Sequence, residues 1–224
     1  MVNYEDLPLF PLHVVLFPEM PLPLHIFEPR YREMILRCRE ENSPFGVVLI
    51  GSGEETGAEA VPQAVGTTAK IAQFEEMPDG RMNILVFGET RFQVARTFHD
   101  KPYLCAHVRP FREEASESEG VPEATERASG LFRQYLRALF ALSGRPLSAL
   151  QLPQDPEYLS YAIASVLQVP PADKQGLLEL RDTAARLTRE CDILQAEIEA
   201  QGAVSGMAAV KVSAQELSKL ASLN

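Results

Sequence analysis

The chain has 224 residues, 46% of them apolar, enough for one substantial core or two small ones. Its formal charge is −10, and its 21 lysines and arginines form no run that could neutralise a phosphate backbone or hold a basic helix on a lipid surface, so neither nucleic acid nor membrane is expected as a partner. Three widely spaced cysteines and an N-terminus without a basic region or uninterrupted apolar segment give the expectation of a cytoplasmic protein.

The segment Leu7 to Met34, "LPLFPLHVVLFPEMPLPLHIFEPRYREM", is apolar but carries prolines at 8, 11, 18, 21, 23 and 29. Each proline fixes φ and removes a backbone donor, which rules out one long helix and predicts short extended pieces at Leu7–Leu12 and Pro21–Phe27. Pro29 then stands at a first helical position, and Tyr31, Ile35 and Cys38 recur at helical spacing. "FGVVLIG" reads as a buried strand.

From about Val65 to Phe111 the pattern is that of a β-meander. "TTAKIAQFEEM" and "RMNILVFGE" flank the turn Pro78-Asp79-Gly80, and "RFQVARTF" and "YLCAHVRPF" repeat the arrangement around "HDKP". "REEASESEGVPE" is acidic and low in apolar residues, the composition of an exposed linker. Beyond it the period becomes helical. Apolar positions 128, 131, 132, 135, 136, 139 and 140 predict a helix stopped by Gly144 and Pro146. A second helix starts with Asp155 as cap and Pro156 in its first turn, with a stripe at 158, 159, 162, 163, 166 and 167. A third is predicted to begin near Asp173 and run unbroken, because Leu177, Leu180, Ala184, Leu187, Cys191, Leu194 and Ile198 alternate at three and four as a heptad seam. Ser213 and Glu216 suggest a capping box in the tail. The expected class is α+β: a β-rich lobe over 1–112, a linker over 113–122, a helical bundle over 123–200 and a tail over 201–224.

Chemistry is hard to find in this sequence. "GSGEETG" at 51–57 lacks the lysine of a phosphate loop and offers carboxylates to an anion, so ATP binding is not expected. Cys105 and His107 would share a strand face, but no second pair completes a metal set and nothing near them marks an activated nucleophile. His13 and His25 flank the proline-rich turn, where they read as structural. Glu28, Glu75 and Glu76 could pair only through the fold. No G-x-S-x-G elbow occurs. No catalytic residue, cofactor or metal is expected.

The opening block, together with "AVGTTAKIAQFEEMPDGRMNILVFGETRFQV" and "DPEYLSYAIASVLQVPPADKQGLLEL", resembles the N-terminal domain of Lon, the ATP-dependent protease. The resemblance covers about Leu7 to Ala200. It implies a PUA-like β-lobe followed by a helical bundle serving substrate recognition, as in related domains that stand alone in bacteria or act as interaction modules in cereblon and certain RING-finger proteins. No Walker lysine loop or serine–lysine pair accompanies it here, so the ATPase and protease labels do not carry over.

The leading expectation is thus a non-catalytic module that binds exposed apolar or unfolded polypeptide, or a partner protein. Phe10, Phe17, Met20 and Phe27 are the candidates for an exposed apolar groove. Leu194 and Ile198, at the end of the seam, are candidates for weak homodimerisation. A hydrolase with a site in the interlobe cleft and a structural self-associating protein are the alternatives.

Overall fold

The computed structural model describes residues 4–52, 61–114, 120–143 and 151–204. The glycine-rich loop beyond Ser52, the middle of the acidic linker, the Gly144–Pro146 helix stop and the Ser213–Glu216 capping box lie outside the described residues. Among the described residues the fold is α+β, with six strands and five helices. Two compact units form, one of Met1–Glu113 with Gln168–Arg181, the other of Glu114–Leu167 with Asp182–Asn224. The chain thus leaves the strand unit and returns to it: segment 168–181, expected in the helical bundle, belongs with the strands.

The strand unit holds β1 (Tyr4–Leu12), β2 (Pro21–Ile26), β3 (Phe45–Ser52), β4 (Val61–Glu76), β5 (Met82–Phe98) and β6 (Cys105–Pro110). The sheet order is β2-β5-β4-β3-β1-β6, and β6 also pairs with β5, so five strands close into a ring and β2 is added at the N-terminal half of β5. Only β1 with β3 is parallel among these pairings. β5 runs unbroken from Met82 to Phe98, through the Gly88-Glu89 interruption that the sequence pattern splits into two strands. The predicted hairpin turn is present: Gly80 N–H donates to Met77 O at 2.8 Å, and Met77 N–H to Arg81 O at 2.8 Å.

Strand alternation divides the core. Leu7, Leu9, Val48, Ala106 and Val108 pack around Phe92 in one cluster. Residues of the opposite parity, among them Phe10, Leu12, Phe45 and Val47, pack with the buried face of helix α1 (Pro29–Glu40): Tyr31, Met34, Ile35 and Cys38. This is the helical spacing that the sequence predicts.

In the helical unit, α2 (Val121–Ser143) buries Ala128, Phe132, Tyr135, Leu136 and Leu139. Helix α3 (Pro156–Val166) has the predicted cap, with Asp155 Oδ1 accepting from Glu157 N–H at 2.9 Å and Tyr158 N–H at 3.2 Å. The continuous third helix is overturned. Helix α4 (Pro171–Leu178) ends and α5 (Thr183–Val204) begins anew, with Asp182 Oδ1 accepting from Ala184 N–H at 2.7 Å and Ala185 N–H at 3.1 Å. That capping carboxylate competes with helix continuation. The seam positions Leu187, Cys191 and Leu194 are buried in the helical unit, while Leu177 is buried in the strand unit. No described helix is long and apolar enough to cross a membrane.

Candidate functional site

The proline-rich opening folds back on the strands. Thr67 Oγ1 donates to Leu16 O at 2.6 Å, Glu19 N–H to Gly88 O at 2.9 Å, and Gly88 N–H to Met20 O at 3.1 Å. A side chain at residue 88 would place its Cβ 2.2 Å from Phe17 O, so the close approach requires glycine there. The groove expectation is corrected at two positions. Phe17 is wholly buried beneath the turn, and Phe10 is buried with its ring 4.2 Å from that of Tyr31. Met20 is half-buried, and Phe27 is 56% exposed with His25 stacked at 6.2 Å. The structure therefore leaves Met20 and Phe27 at the surface. Their neighbour His25 has Nδ1 at 2.7 Å from Asn83 Oδ1, which anchors the ring.

At the seam, Leu194 is wholly buried within its own unit, which corrects its placement as a self-association residue; Ile198 is half-buried. The α2–α3–α5 core simply uses the apolar residue at 194 before the helix reaches 198.

One buried charge organises the strand unit and went unassigned in the sequence. Arg91, in the "GETRFQV" block, is 5% exposed. Its Nη1 donates to Leu178 O at 2.7 Å and to Leu180 O at 2.6 Å, and its Nη2 pairs with Glu113 at 2.5 Å. A cation at the carbonyl end of α4 satisfies acceptors that a terminating helix leaves open. Gln175, also buried, donates to Val65 O at 3.0 Å and to Glu179 at 2.7 Å. Together these bonds hold α4 against β4 and β5. The signal available in the sequence was an arginine inside a strand pattern.

A reactive constellation does not form around the other candidates. Burial pushes the Cys38 thiol up to about 11. Burial, and then the neighbouring Asp6, push Cys105 up to about 12, so neither sulfur is a ready thiolate. His107 is exposed, with its ring 5.0 Å from that of Phe98, while Cys105 on the same strand is buried. Glu28 pairs with Arg30 at 3.0 Å, and Glu75 and Glu76 are exposed on β4. No group of three histidine, cysteine, aspartate or glutamate side chains placed for a metal occurs among the described residues. In the helical unit Ser160 Oγ donates to Glu190 Oε1 at 2.8 Å and accepts from Arg186 Nε at 2.6 Å. Burial holds the Glu190 carboxyl well above its ordinary range, against the hydrogen bond from Ser160 and the Arg186 charge. This cluster is packed inside the helices.

Beside the end of α1 and the C-terminal part of β4 lies a shallow cavity of about 220 Å³, with Arg39, Asn42 and Ser43 on one wall and Lys70, Gln73 and Phe74 on the other. Arg39 stacks over the Phe74 ring at 4.0 Å. Among the described residues the surface thus offers a half-buried methionine, an exposed phenylalanine and a strand-lined groove.

Comparison with known proteins gives the family. Residues 6–196 match the family model of the ATP-dependent protease La (LON) substrate-binding domain. The Lon protease of Xanthomonas oryzae pv. oryzae is 30% identical over 199 residues, covering 88% of this chain and 23% of the relative. That of Desulfovibrio desulfuricans is 32% identical over 203 residues, covering 87% of this chain and 22% of the relative. The chain thus spans about a quarter of the length of these curated relatives. The crystal structure of a Lon N-terminal domain protein from Xanthomonas campestris superposes with a TM-score of 0.63 at 29% identity, covering 83% of this chain and 96% of that one. The N-terminal domain of Mycobacterium avium complex Lon protease shares the fold, with a TM-score of 0.62 at 20% identity over 85% of this chain and 98% of that one. By that match over residues 6–196, the chain belongs to the family of ATP-dependent protease La (LON) substrate-binding domains.

Proposed function

We propose that the chain is a protein-binding module, without a reaction of its own, that takes exposed apolar or unfolded polypeptide segments or the apolar surface of a partner protein. The observation that carries this reading is the match of a substrate-binding domain to residues 6–196. The raised thiol values of Cys38 and Cys105 support the non-catalytic side of it. Proteolysis, named for relatives about four times as long, is not assigned to these residues. Met20 and Phe27 are the surface contacts of the opening segment. The cytoplasm is the compartment we assign, supported by three free, buried cysteines.

Reduced, carboxymethylated α-lactalbumin, a permanently unfolded chain, is the probe. Saturable binding followed by fluorescence anisotropy is expected, with native α-lactalbumin failing to compete. Phe27→Ser should weaken the binding and leave the melting temperature unchanged. A protein that ignores the unfolded probe at high micromolar concentration would overturn the reading.

A further inference from the structure

β4 outruns its neighbour. β3 begins at Phe45, whose partner on β4 is Ala69. β4 continues to pair with β5 on its other side from Lys70 to Glu76. Over that stretch no strand lies beside the far edge of β4 among the described residues. The loop after α1 does not cover the edge with its main chain, since Glu41, Asn42 and Ser43 donate back to carbonyls of Arg37, Arg39 and Cys38. A vacant strand position is left in line with β3, walled by the end of α1, and the cavity described above is part of it.

The outer edge of β2 offers a contrast. Its pairing with β5 is continuous from Pro21 to Ile26, so Pro21 and Pro23 must turn their donorless nitrogens away from β5. That edge is blocked to a further strand. The β4 edge carries neither proline nor glycine from Lys70 to Glu76 and keeps its donors. Lys70 and a bulge between Ile71 and Gln73 guard it against indiscriminate pairing.

Charge decides what it accepts. Arg39 and Lys70 are both exposed on the walls of the groove, and neither is paired with a carboxylate among the described residues. In a chain of net charge −10 these two cations form a local site for one acidic side chain. We infer that an extended polypeptide segment carrying an acidic residue adds to the open edge of β4, main chain against main chain, with its carboxylate between Lys70 and Arg39. Strand addition reads backbone rather than sequence, which suits a module that meets many unfolded chains. The inference rests on the polypeptide-binding reading above and gives that reading a site.

Amide hydrogen exchange of the wild-type chain with and without carboxymethylated α-lactalbumin tests it, alongside the affinity of the Lys70→Glu/Arg39→Glu variant. At saturation the amides of 70–76 should slow by about tenfold or more. The double charge reversal should weaken binding by about tenfold while the far-ultraviolet spectrum stays unchanged. Lys70→Glu alone, at an exposed position, should weaken binding in the same direction. If the probe binds but 70–76 exchange as before and both variants bind normally, the edge assignment falls and the broader reading stands. Absence of probe binding overturns both. Protection of 70–76 that grows with the concentration of the protein alone, with a dimer in sedimentation, would make a second copy the occupant and overturn the inference.

Discussion

Gly66 and Phe92 face each other across the β4–β5 ladder, and the phenyl ring lies where a side chain at residue 66 would begin. A Cβ there would stand 2.8 Å from Phe92 Cζ and 2.5 Å from the carbonyl oxygen of Val47. Gly46 on β3 is in the same position, with Phe92 Cζ at 2.7 Å. The ring, 2% exposed, fills the inside of the strand ring because β3 and β4 each present a glycine to it, at 46 and at 66. Gly66→Ala should therefore cost about 1–3 kcal/mol through overpacking, and Phe92→Ala about 3–5 kcal/mol through a cavity. In the double variant the costs should fall short of additive, though the Val47 carbonyl keeps the rescue partial. Urea unfolding of the four chains measures it; strict additivity would show that the two residues do not meet.

Arg91 is the second test of the strand unit. Replacing it by Met leaves two carbonyls and the Glu113 carboxylate without their donor, and should cost about 3–5 kcal/mol. Lysine keeps the charge and can serve both carbonyls from its single nitrogen, as Nη1 does, but it has no second nitrogen for Glu113, so Arg91→Lys should recover only part of the loss. Hydrogen exchange should report the damage first in α4, Pro171–Leu178. Unchanged α4 protection in Arg91→Met would mean that this helix is held by its apolar contacts alone.

Phe17 and Phe27 separate core from surface within one apolar run. Phe17→Ser should destabilise by about 3–5 kcal/mol. Phe27→Ser should stay within about 0.5 kcal/mol of the parent. Thermal melts decide, and a cooperative, unshifted melt for Phe17→Ser would return that residue to the exposed groove.

Glu190 gives the helical unit a pH signature. Its folded-state carboxyl is raised, so the folded chain holds a proton that the unfolded chain loses near pH 4.5. Stability from this residue falls as pH rises from that value through the raised one, and stays lower above it. Glu190→Gln keeps an acceptor for Ser160 and removes the titration. The variant should match the parent in acid and exceed it in stability at neutral pH. If Glu190→Gln is instead the weaker chain at neutral pH, attraction to Arg186 outweighs the burial of the carboxylate.

Leu194 and Ile198 divide the end of α5. Leu194→Asp buries a charge among α2 and α3 residues and should unfold the helical unit. Ile198→Asp should change stability little, and if the weak homodimer exists it should be lost; sedimentation velocity reads this directly. A folded Leu194→Asp chain would contradict the burial of that side chain.

Several elements needed nothing beyond their own residues. Pro29 opens α1, Asp155 with Pro156 opens α3, and Pro78-Asp79-Gly80 turns β4 into β5, because caps and turns are decided by bonds within a few residues of chain. The buried stripes of α1 and α2 were legible for the same reason: helical period is local. Three features were decided only by folding. A heptad pattern passes through residues 179–182 without interruption, yet the helix breaks there, where Asp182 caps the next helix and Arg91, far back in the chain, draws in the carbonyls of Leu178 and Leu180. Phe10, Phe17 and Phe27 have the same apolar signature; the return of the loop onto Gly88 covers Phe17, and packing against α1 covers Phe10. The open edge of β4 depends on where β3 starts to pair, a fact of register between strands that no single stretch of sequence contains. Local geometry is written in neighbouring residues; burial of one aromatic rather than another, and the end of a strand's partnership, are settled by contacts between residues distant in the chain.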